Sequence, residues 1–148
     1  MRRLTIKTAF VLMLLLLFPF AARAQGEKET SVARVREIQS ALKEAGLDGW
    51  LFYDFRGSDP LAYRILKLDQ RGITTRRWFY YVPATGEPVK LVHSIERGKL
   101  DALPGKKLIF LPWQQLHAYL RETLTGQTGN QPRRTKRAGI TRRIAMQY

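Results

Sequence analysis

The sequence predicts an α/β (mixed α+β) fold in which a single mixed β-sheet is flanked by helices. Three observations support this class. Segments with the 3.6-residue apolar period of helices alternate along the chain with short, continuous apolar runs typical of strands. The 148 residues are 45% hydrophobic and include seven Phe, six Tyr and three Trp, so they can build a packed core. There is no cysteine, which excludes disulfide scaffolds, thiol nucleophiles and cysteine-ligated metals.

The first segment is typical of an export signal. Basic residues precede an apolar run at 9–20, and small side chains follow at Ala22 and Ala24. The run is too short to cross a bilayer core of about 30 Å comfortably, and Pro19 interrupts its end. We therefore expect a signal peptide at 1–24, cleaved after Ala24, with an uncleaved membrane anchor as the alternative. The remainder is expected to be exported, periplasmic or extracellular, with no stable membrane span after cleavage.

The first helix after the signal is predicted from residue 31 onward. Its apolar residues recur at spacings of three and four, at Val32, Val35, Ile38, Leu42 and Ala45. A hydroxyl of Thr30 or Ser31 would cap the first turn, and Gly46 suits the left-handed residue that ends the helix.

A buried strand and a short capped helix come next. Residues 49–53 are almost continuously apolar and aromatic, which is typical of a strand covered on both faces. A turn-rich loop, 54–59, follows this strand. Asp59 and Pro60 then form a cap and a first-turn proline, which predict a short helix reaching Leu68.

A hairpin, a further strand and a helix complete the predicted core. Residues 78–82 and 89–93 predict two strands joined by a turn rich in Pro and Gly. Residues 107–111 predict another buried strand, after which Pro112 opens a helix that Gly126 ends. The predicted apolar face of this helix carries Trp113, Leu116, Leu120 and Leu124.

The last part of the chain is basic. The formal net charge is +14, and residues 127–148 contain six Lys or Arg residues and no acid. We predict a folded domain at 25–126, a flexible basic insertion at 127–143 and a terminal strand, cut short, at 144–148. A solvated loop is preferred for the insertion over binding to lipid headgroups or cell-wall polymers.

Candidate catalytic chemistry is sparse, because the sequence lacks the common nucleotide-binding, zinc-protease and serine-hydrolase motifs. Asp54 and Asp59 share one loop after a buried strand, where they could bind a cation or form an acid–base pair. A structural role is preferred: Asp59 caps the next helix, and Asp54 accepts loop amides or pairs with Arg56. His93 is predicted as a structural strand-end residue and His117 as a hydrogen-bonded boundary residue, since two isolated histidines do not make a metal site.

An aromatic run at 78–81 follows Arg76 and Arg77, a combination that also suits a stacking platform for nucleic acid. An exported protein rarely meets nucleic acid, and the alternating sides of a central strand would bury most of these rings. Core packing is therefore the preferred interpretation, and no nucleic-acid partner is expected.

Several segments, taken in order, resemble a known family. They are Arg34-Val35-Arg36-Glu37-Ile38, residues 42–57 with Asp54-Phe55-Arg56-Gly57 at their end, Pro60, residues 75–80 and residues 91–96. Together they resemble the N-terminal domain of creatinase-like metallopeptidases, the aminopeptidase P and prolidase relatives that cleave bonds next to proline. The resemblance spans about 31–124 and resumes at 143–148.

The resemblance implies a mixed sheet with flanking helices, related in shape to ribonuclease H, and a non-catalytic role. In that family a dinuclear divalent metal centre belongs to a separate pita-bread catalytic domain, so no cofactor, metal ligand or catalytic residue is expected in this chain, which alone should be inactive. The expected partners are such a catalytic domain, in cis or in trans, and further copies in a homo-oligomer. Asp54, Arg56 and Asp59 mark a loop expected at the substrate entrance. The alternative is a stand-alone interaction module without peptidase activity, whose basic tail binds an anion.

Overall fold

A computed structural model describes residues 26, 29–69, 74–126 and 142–146. The predicted signal peptide at 1–24, most of the predicted basic insertion (127–141) and the last two residues of the predicted terminal strand lie outside the described residues. No helix of the described part is long and apolar enough to cross a bilayer.

Five strands form one mixed sheet in the described part of the chain. They are β1 (Gly49–Asp54), β2 (Trp78–Pro83), β3 (Val89–His93), β4 (Lys106–Phe110) and β5 (Ile144–Met146). Their order is β4-β3-β2-β1-β5. Strand β2 is antiparallel to both neighbours, whereas β3 pairs with β4, and β1 with β5, in parallel. The end of the sheet to which β1, β3, β4 and β5 point is called the carboxyl edge below.

Helix α1 covers residues 29–44 and begins earlier than the sequence predicts. Thr30 Oγ1 donates to the Gly26 carbonyl oxygen at 2.8 Å, and Gly26 is itself helical. The predicted cap at Thr30 or Ser31 is therefore wrong, because the helical conformation starts before both residues and the hydroxyl bonds back one turn. Gly46, at φ 64°, ends the helix in the left-handed region as predicted.

The helices cover both faces of the sheet. Helix α2 (Pro60–Leu66) lies with α1 on one face, and α3 (Trp113–Thr125) lies on the other. Neighbouring residues of a strand point to opposite faces, so the aromatic run of β2 is divided between two cores. Trp78 and Tyr80 pack under α1 and α2, and Phe79 and Tyr81 pack under α3. All four rings are buried, which confirms their core role and removes them from any surface that could stack on bases.

This architecture confirms the predicted fold class, a single mixed sheet flanked by helices. The predicted hairpin is also confirmed, since β2 and β3 pair antiparallel with Phe79 opposite Leu91. Asp59 caps α2, and Pro60 occupies its first turn, as predicted.

Strand β4 is predicted to be buried but lies at the edge of the sheet. Phe110 is its buried residue, whereas Lys106 and Ile109 are exposed. A short apolar run predicts a strand, but it does not predict whether that strand lies in the centre or at the edge of the sheet. The position depends on how the other strands pair. The prediction was therefore right about the strand and wrong about its burial.

Trp113 is predicted on the packed face of α3 but is 64% exposed. Its angular position on the helix suits that face, and Leu116, one turn later, is buried there. Only two residues separate the end of β4 from the start of α3, so the first helical turn begins at the carboxyl edge, beyond the last residue of the sheet. Trp113 therefore has no sheet surface beneath it.

Hydrogen bonds hold the start of β5 against distant parts of the chain. Asp48 N–H donates to the Arg143 carbonyl oxygen at 2.8 Å, and Arg143 N–H donates to Asp48 Oδ2 at 2.7 Å. Arg142 Nη1 donates to the Leu124 carbonyl oxygen at 3.0 Å. The end of α3 and the start of β5 are therefore close in space, although residues 127–141 separate them in sequence.

Candidate functional site

The loop 54–59 lies at the carboxyl edge, where β1 ends. Asp54 and Trp78 are the last pair in the antiparallel ladder between β1 and β2. Phe55, directly after β1, and Arg77, directly before β2, therefore lie side by side beyond the end of this ladder. The three residues predicted at a substrate entrance, Asp54, Arg56 and Asp59, are all in this loop. Their environments differ sharply.

Asp54 is fully buried, and both of its carboxylate oxygens face the loop and α2. Gly57 N–H donates to Oδ2 at 3.1 Å, Asp59 N–H donates to Oδ1 at 3.1 Å, and the Tyr63 hydroxyl donates to Oδ2 at 3.0 Å. A buried carboxylate is tolerated when it accepts several hydrogen bonds. Asp54 therefore closes the loop and does not face solvent; it accepts loop amides and is not paired with Arg56.

Asp59 serves the next element in the same way. Its Oδ1 accepts from Leu61 N–H at 3.1 Å and from Ala62 N–H at 3.0 Å, which are free donors at the start of α2. Asp54 and Asp59 are thus the structural residues that the preferred interpretation predicts. No group of three or more His, Asp or Glu side chains in the described residues could hold a metal ion.

Arg56 is exposed and takes part in a cationic cluster on one aromatic ring. Its guanidinium carbon lies 5.0 Å from the centroid of the Phe55 ring, and the guanidinium carbon of Arg77 lies 5.0 Å from the same centroid. Arg77 Nε also donates to the Tyr53 hydroxyl at 3.3 Å. Neither guanidinium forms an ion pair with a carboxylate of the described residues. The cluster of Phe55, Arg56 and Arg77 therefore presents two positive charges at the carboxyl edge that no described carboxylate pairs with.

His93 and Glu96 stabilise the segment that follows β3. His93 Nδ1 accepts from Ile95 N–H at 3.2 Å and caps a single 3₁₀ turn, Ser94–Glu96. Glu96 Oε1 accepts from the Thr75 N–H and hydroxyl at 2.7 and 2.6 Å. Burial opposes ionisation of Glu96, but the bonds from Thr75 and Arg76 and the charge of Lys99 outweigh it and hold its pKa below the ordinary value. The predicted structural role of His93 is confirmed.

An exposed apolar corner lies where β3 and β4 end. Ile95, Leu111 and Trp113 are each about two-thirds exposed, and Ile109 is 40% exposed. The His117 ring meets Trp113 edge-on, with 5.2 Å between centroids, and His117 is exposed. The predicted boundary position of His117 is therefore wrong: Leu116 is buried, and the next residue of a helix is turned about 100° away from it, so His117 is exposed. The corner, defined as Ile95, Ile109, Leu111 and Trp113, gathers most of the large apolar side chains that the described residues expose.

The sequence singled out Arg56, and Arg77 only as a basic residue before the aromatic run; it did not predict the contact of Arg77 with Phe55 or the apolar corner. The register of β1 with β2 brings Arg77 to Phe55, and a register is not visible in a list of residues. The corner depends on β4 being an edge strand. One signal was present: only two residues separate Trp113 from the end of β4, so the first turn of the helix begins before the chain can turn back over the sheet.

Comparisons with known proteins add one structural likeness. No family model matches the chain, and no curated protein matches it in sequence. Among solved structures, the chain is similar to the dipeptidase PepE from Mycobacterium ulcerans, with 20% sequence identity and a TM-score of 0.46. The match covers 62% of this chain and 26% of the dipeptidase, so the chain spans about a quarter of that protein's length. A likeness at this level does not assign an activity.

Proposed function

We propose that this chain is the non-catalytic N-terminal domain of an exported metallopeptidase of the creatinase, aminopeptidase P and prolidase class. In this proposal a pita-bread domain, in cis or in trans, carries the dinuclear divalent metal centre and performs the hydrolysis of bonds next to proline. The chain shapes substrate access to that centre and provides homo-oligomer contacts. It binds no cofactor, metal or nucleic acid itself.

One observation supports the proposal: at the carboxyl edge the loop carboxylates are engaged within the chain, whereas arginine and large apolar side chains are exposed. Both carboxylates of the loop 54–59 are engaged by the chain's own N–H and O–H groups. The exposed side chains at this edge include the guanidiniums on Phe55 and the apolar corner. Exposed arginine and large apolar side chains are typical of protein interfaces and of entrances that receive a carboxylate. The ordered sequence segments that resemble the family supply the identity of the expected partner.

Export and domain limits belong to the same proposal. Residues 1–24 act as a signal peptide that is cleaved after Ala24, residues 25–126 form the domain, and residues 127–143 are a basic insertion before the strand at 144–148. N-terminal sequencing of the exported protein should begin at Gln25. A mature protein that retains residue 1 would replace the cleaved signal with a membrane anchor.

The test is co-purification from the native host. The affinity-tagged chain should retain a polypeptide that carries a metal-ligand set of two Asp, one His and two Glu, and the eluate should hydrolyse an Xaa-Pro dipeptide when Mn²⁺ is added. The same chain produced in a foreign host should be inactive. Charge reversal of the cluster, Arg56→Glu with Arg77→Glu, should reduce the retained peptidase. The matched control is Arg36→Glu on the exposed side of α1, which should not.

Two results would overturn the proposal. Metal-dependent turnover by the foreign-host chain would show that it is catalytic alone. Absence of any metallopeptidase, whether retained in the eluate or encoded in the three forward frames after the Tyr148 codon, would leave the stand-alone interaction module. That module would rely on the basic residues of 127–143 and on the exposed corner.

A further inference from the structure

Within the described part of the chain, one side of strand β4 has no partner strand, and hydrogen-bonding groups are directed toward that side. Lys106 N–H donates to the Pro88 carbonyl oxygen at 2.9 Å, toward β3. In a parallel ladder successive residues direct their N–H and C=O groups to opposite sides. Lys107 and Ile109 therefore direct theirs away from β3, to the side on which β4 has no neighbour among the described residues. Leu111 N–H is already bonded to Gln115 Oε1 at 3.1 Å, so this N–H is not available to a partner strand.

The apolar corner surrounds the same edge. Ile109 pairs with Val92 and so lies on the α1 and α2 face, where no helix reaches it, and it is 40% exposed. Leu111 and Trp113 follow it, and Ile95 follows the neighbouring strand. Edge strands with exposed apolar residues pair readily with another strand unless something covers them.

We propose that β4 pairs antiparallel with the β4 strand of a second copy of this chain, with a two-fold axis at Ile109. The outward N–H and C=O of Ile109 then bond to those of Ile109 in the second copy, and the two isoleucine side chains meet on one face. The corners of both copies come together around the axis. This contact gives a surface to the proposed homo-oligomer, but it does not depend on the peptidase assignment.

The occupant is a second copy because the edge is complementary to itself. With Ile109 opposite Ile109, Lys107 is opposite Leu111, so no like charges face each other across the ladder. The Lys107 ammonium already pairs with Asp101 of its own chain, which leaves its aliphatic stem to cover Leu111 of the second copy. The Phe55 cluster, by contrast, would repel a second copy of itself.

A cysteine at the axis gives a direct test, since the sequence has none. A residue opposite itself in a hydrogen-bonded antiparallel pair has Cα atoms about 5.5 Å apart, within the range that a disulfide spans. The purified exported chain carrying Ile109→Cys should form a disulfide-linked dimer under mild oxidation. Met146→Cys, 47% exposed on the opposite edge strand, is the matched control and should react far more slowly.

Light scattering on the cysteine-free chain completes the test. The unmodified chain should be a dimer, and Ile109→Pro should raise its dissociation constant at least about tenfold, because proline removes an outward N–H and leaves the bonds to β3 intact. Circular dichroism should show the same fold for both. A monomeric unmodified chain, a dimer that Ile109→Pro leaves intact, or equal cross-linking at Met146→Cys would overturn the pairing. None of these results would change the co-purification of a peptidase, so the two proposals fail separately.

Discussion

Replacement of Asp54 by Ala should destabilise the folded chain by about 3–5 kcal/mol. The substitution removes three hydrogen bonds to a fully buried carboxylate. Each part-buried N–H that loses its partner, at Gly57 and at Asp59, costs about 1–3 kcal/mol. The Tyr63 hydroxyl loses its acceptor but remains 3.4 Å from Thr74 Oγ1, so its loss is partly offset. Asp54→Asn should lower the free energy of unfolding by less, about 1–3 kcal/mol. Its amide oxygen still accepts a hydrogen bond, but its NH₂ group replaces an acceptor and faces another donor.

Urea unfolding followed by tryptophan fluorescence measures these changes, since Trp78 is buried beside Tyr63. Ser58→Ala, in the same loop and exposed, is the control and should change stability by less than about 0.5 kcal/mol. In a double-mutant cycle, Asp54→Asn and Tyr63→Phe should show a coupling of at least about 0.5 kcal/mol. If Asp54→Ala unfolds within 0.5 kcal/mol of the unmodified chain, the loop is not closed by this carboxylate and the structural reading of Asp54 is wrong.

Three further predictions concern single positions. Glu96 has a lowered pKa in the folded chain, so its stabilising contribution is present above its ordinary pKa and is lost as the pH falls through the folded pKa. The urea midpoint of Glu96→Gln should therefore fall less on acidification than the midpoint of the unmodified chain. An equal fall in the two proteins would contradict this role of Glu96. Burial raises the pKa of Tyr80, so absorbance at 295 nm should show this phenol ionising only when alkali unfolds the chain. The absorbance change that accompanies unfolding should be smaller in Tyr80→Phe. An unchanged absorbance step in that variant would show that another tyrosine is responsible. Gly49→Ala would place a Cβ 2.5 Å from the Tyr81 ring and should lower the free energy of unfolding by about 1–3 kcal/mol. Gly98→Ala is the control, because the nearest atom to its Cβ would be 3.8 Å away, and its stability should be almost unchanged. Similar urea midpoints for the two variants would show that the Tyr81 ring moves aside freely.

Local chemistry explains what the sequence predicted well. The pair Asp59 and Pro60 specifies a helix start because the Asp59 carboxylate accepts from the unpaired N–H groups of Leu61 and Ala62, and Pro60 has no N–H that would need a partner. Gly46 ends α1 because the left-handed conformation favours glycine. These features depend on a few neighbouring residues, which any sequence shows directly.

Features that depend on distant pairing were not predictable in the same way. The burial of Asp54 required Tyr63 to reach back across the loop, and the charge at Phe55 required the register that brings Arg77 beside it. The exposure of Trp113 followed from the place of β4 in the strand order. In each case the sequence shows which side chain is present, but the order and register of the strands decide which residues it contacts.

The hydrogen bonds around Asp48 and Leu124 have a consequence for protein engineering. They hold Leu124 and Arg142 close together in space, and closing a flexible loop between two such fixed points costs only about 0.6 kcal/mol more for each doubling of its length. We therefore expect added chain between these two points to leave the sheet undisturbed, so an experimenter could insert an epitope or a fluorescent label there.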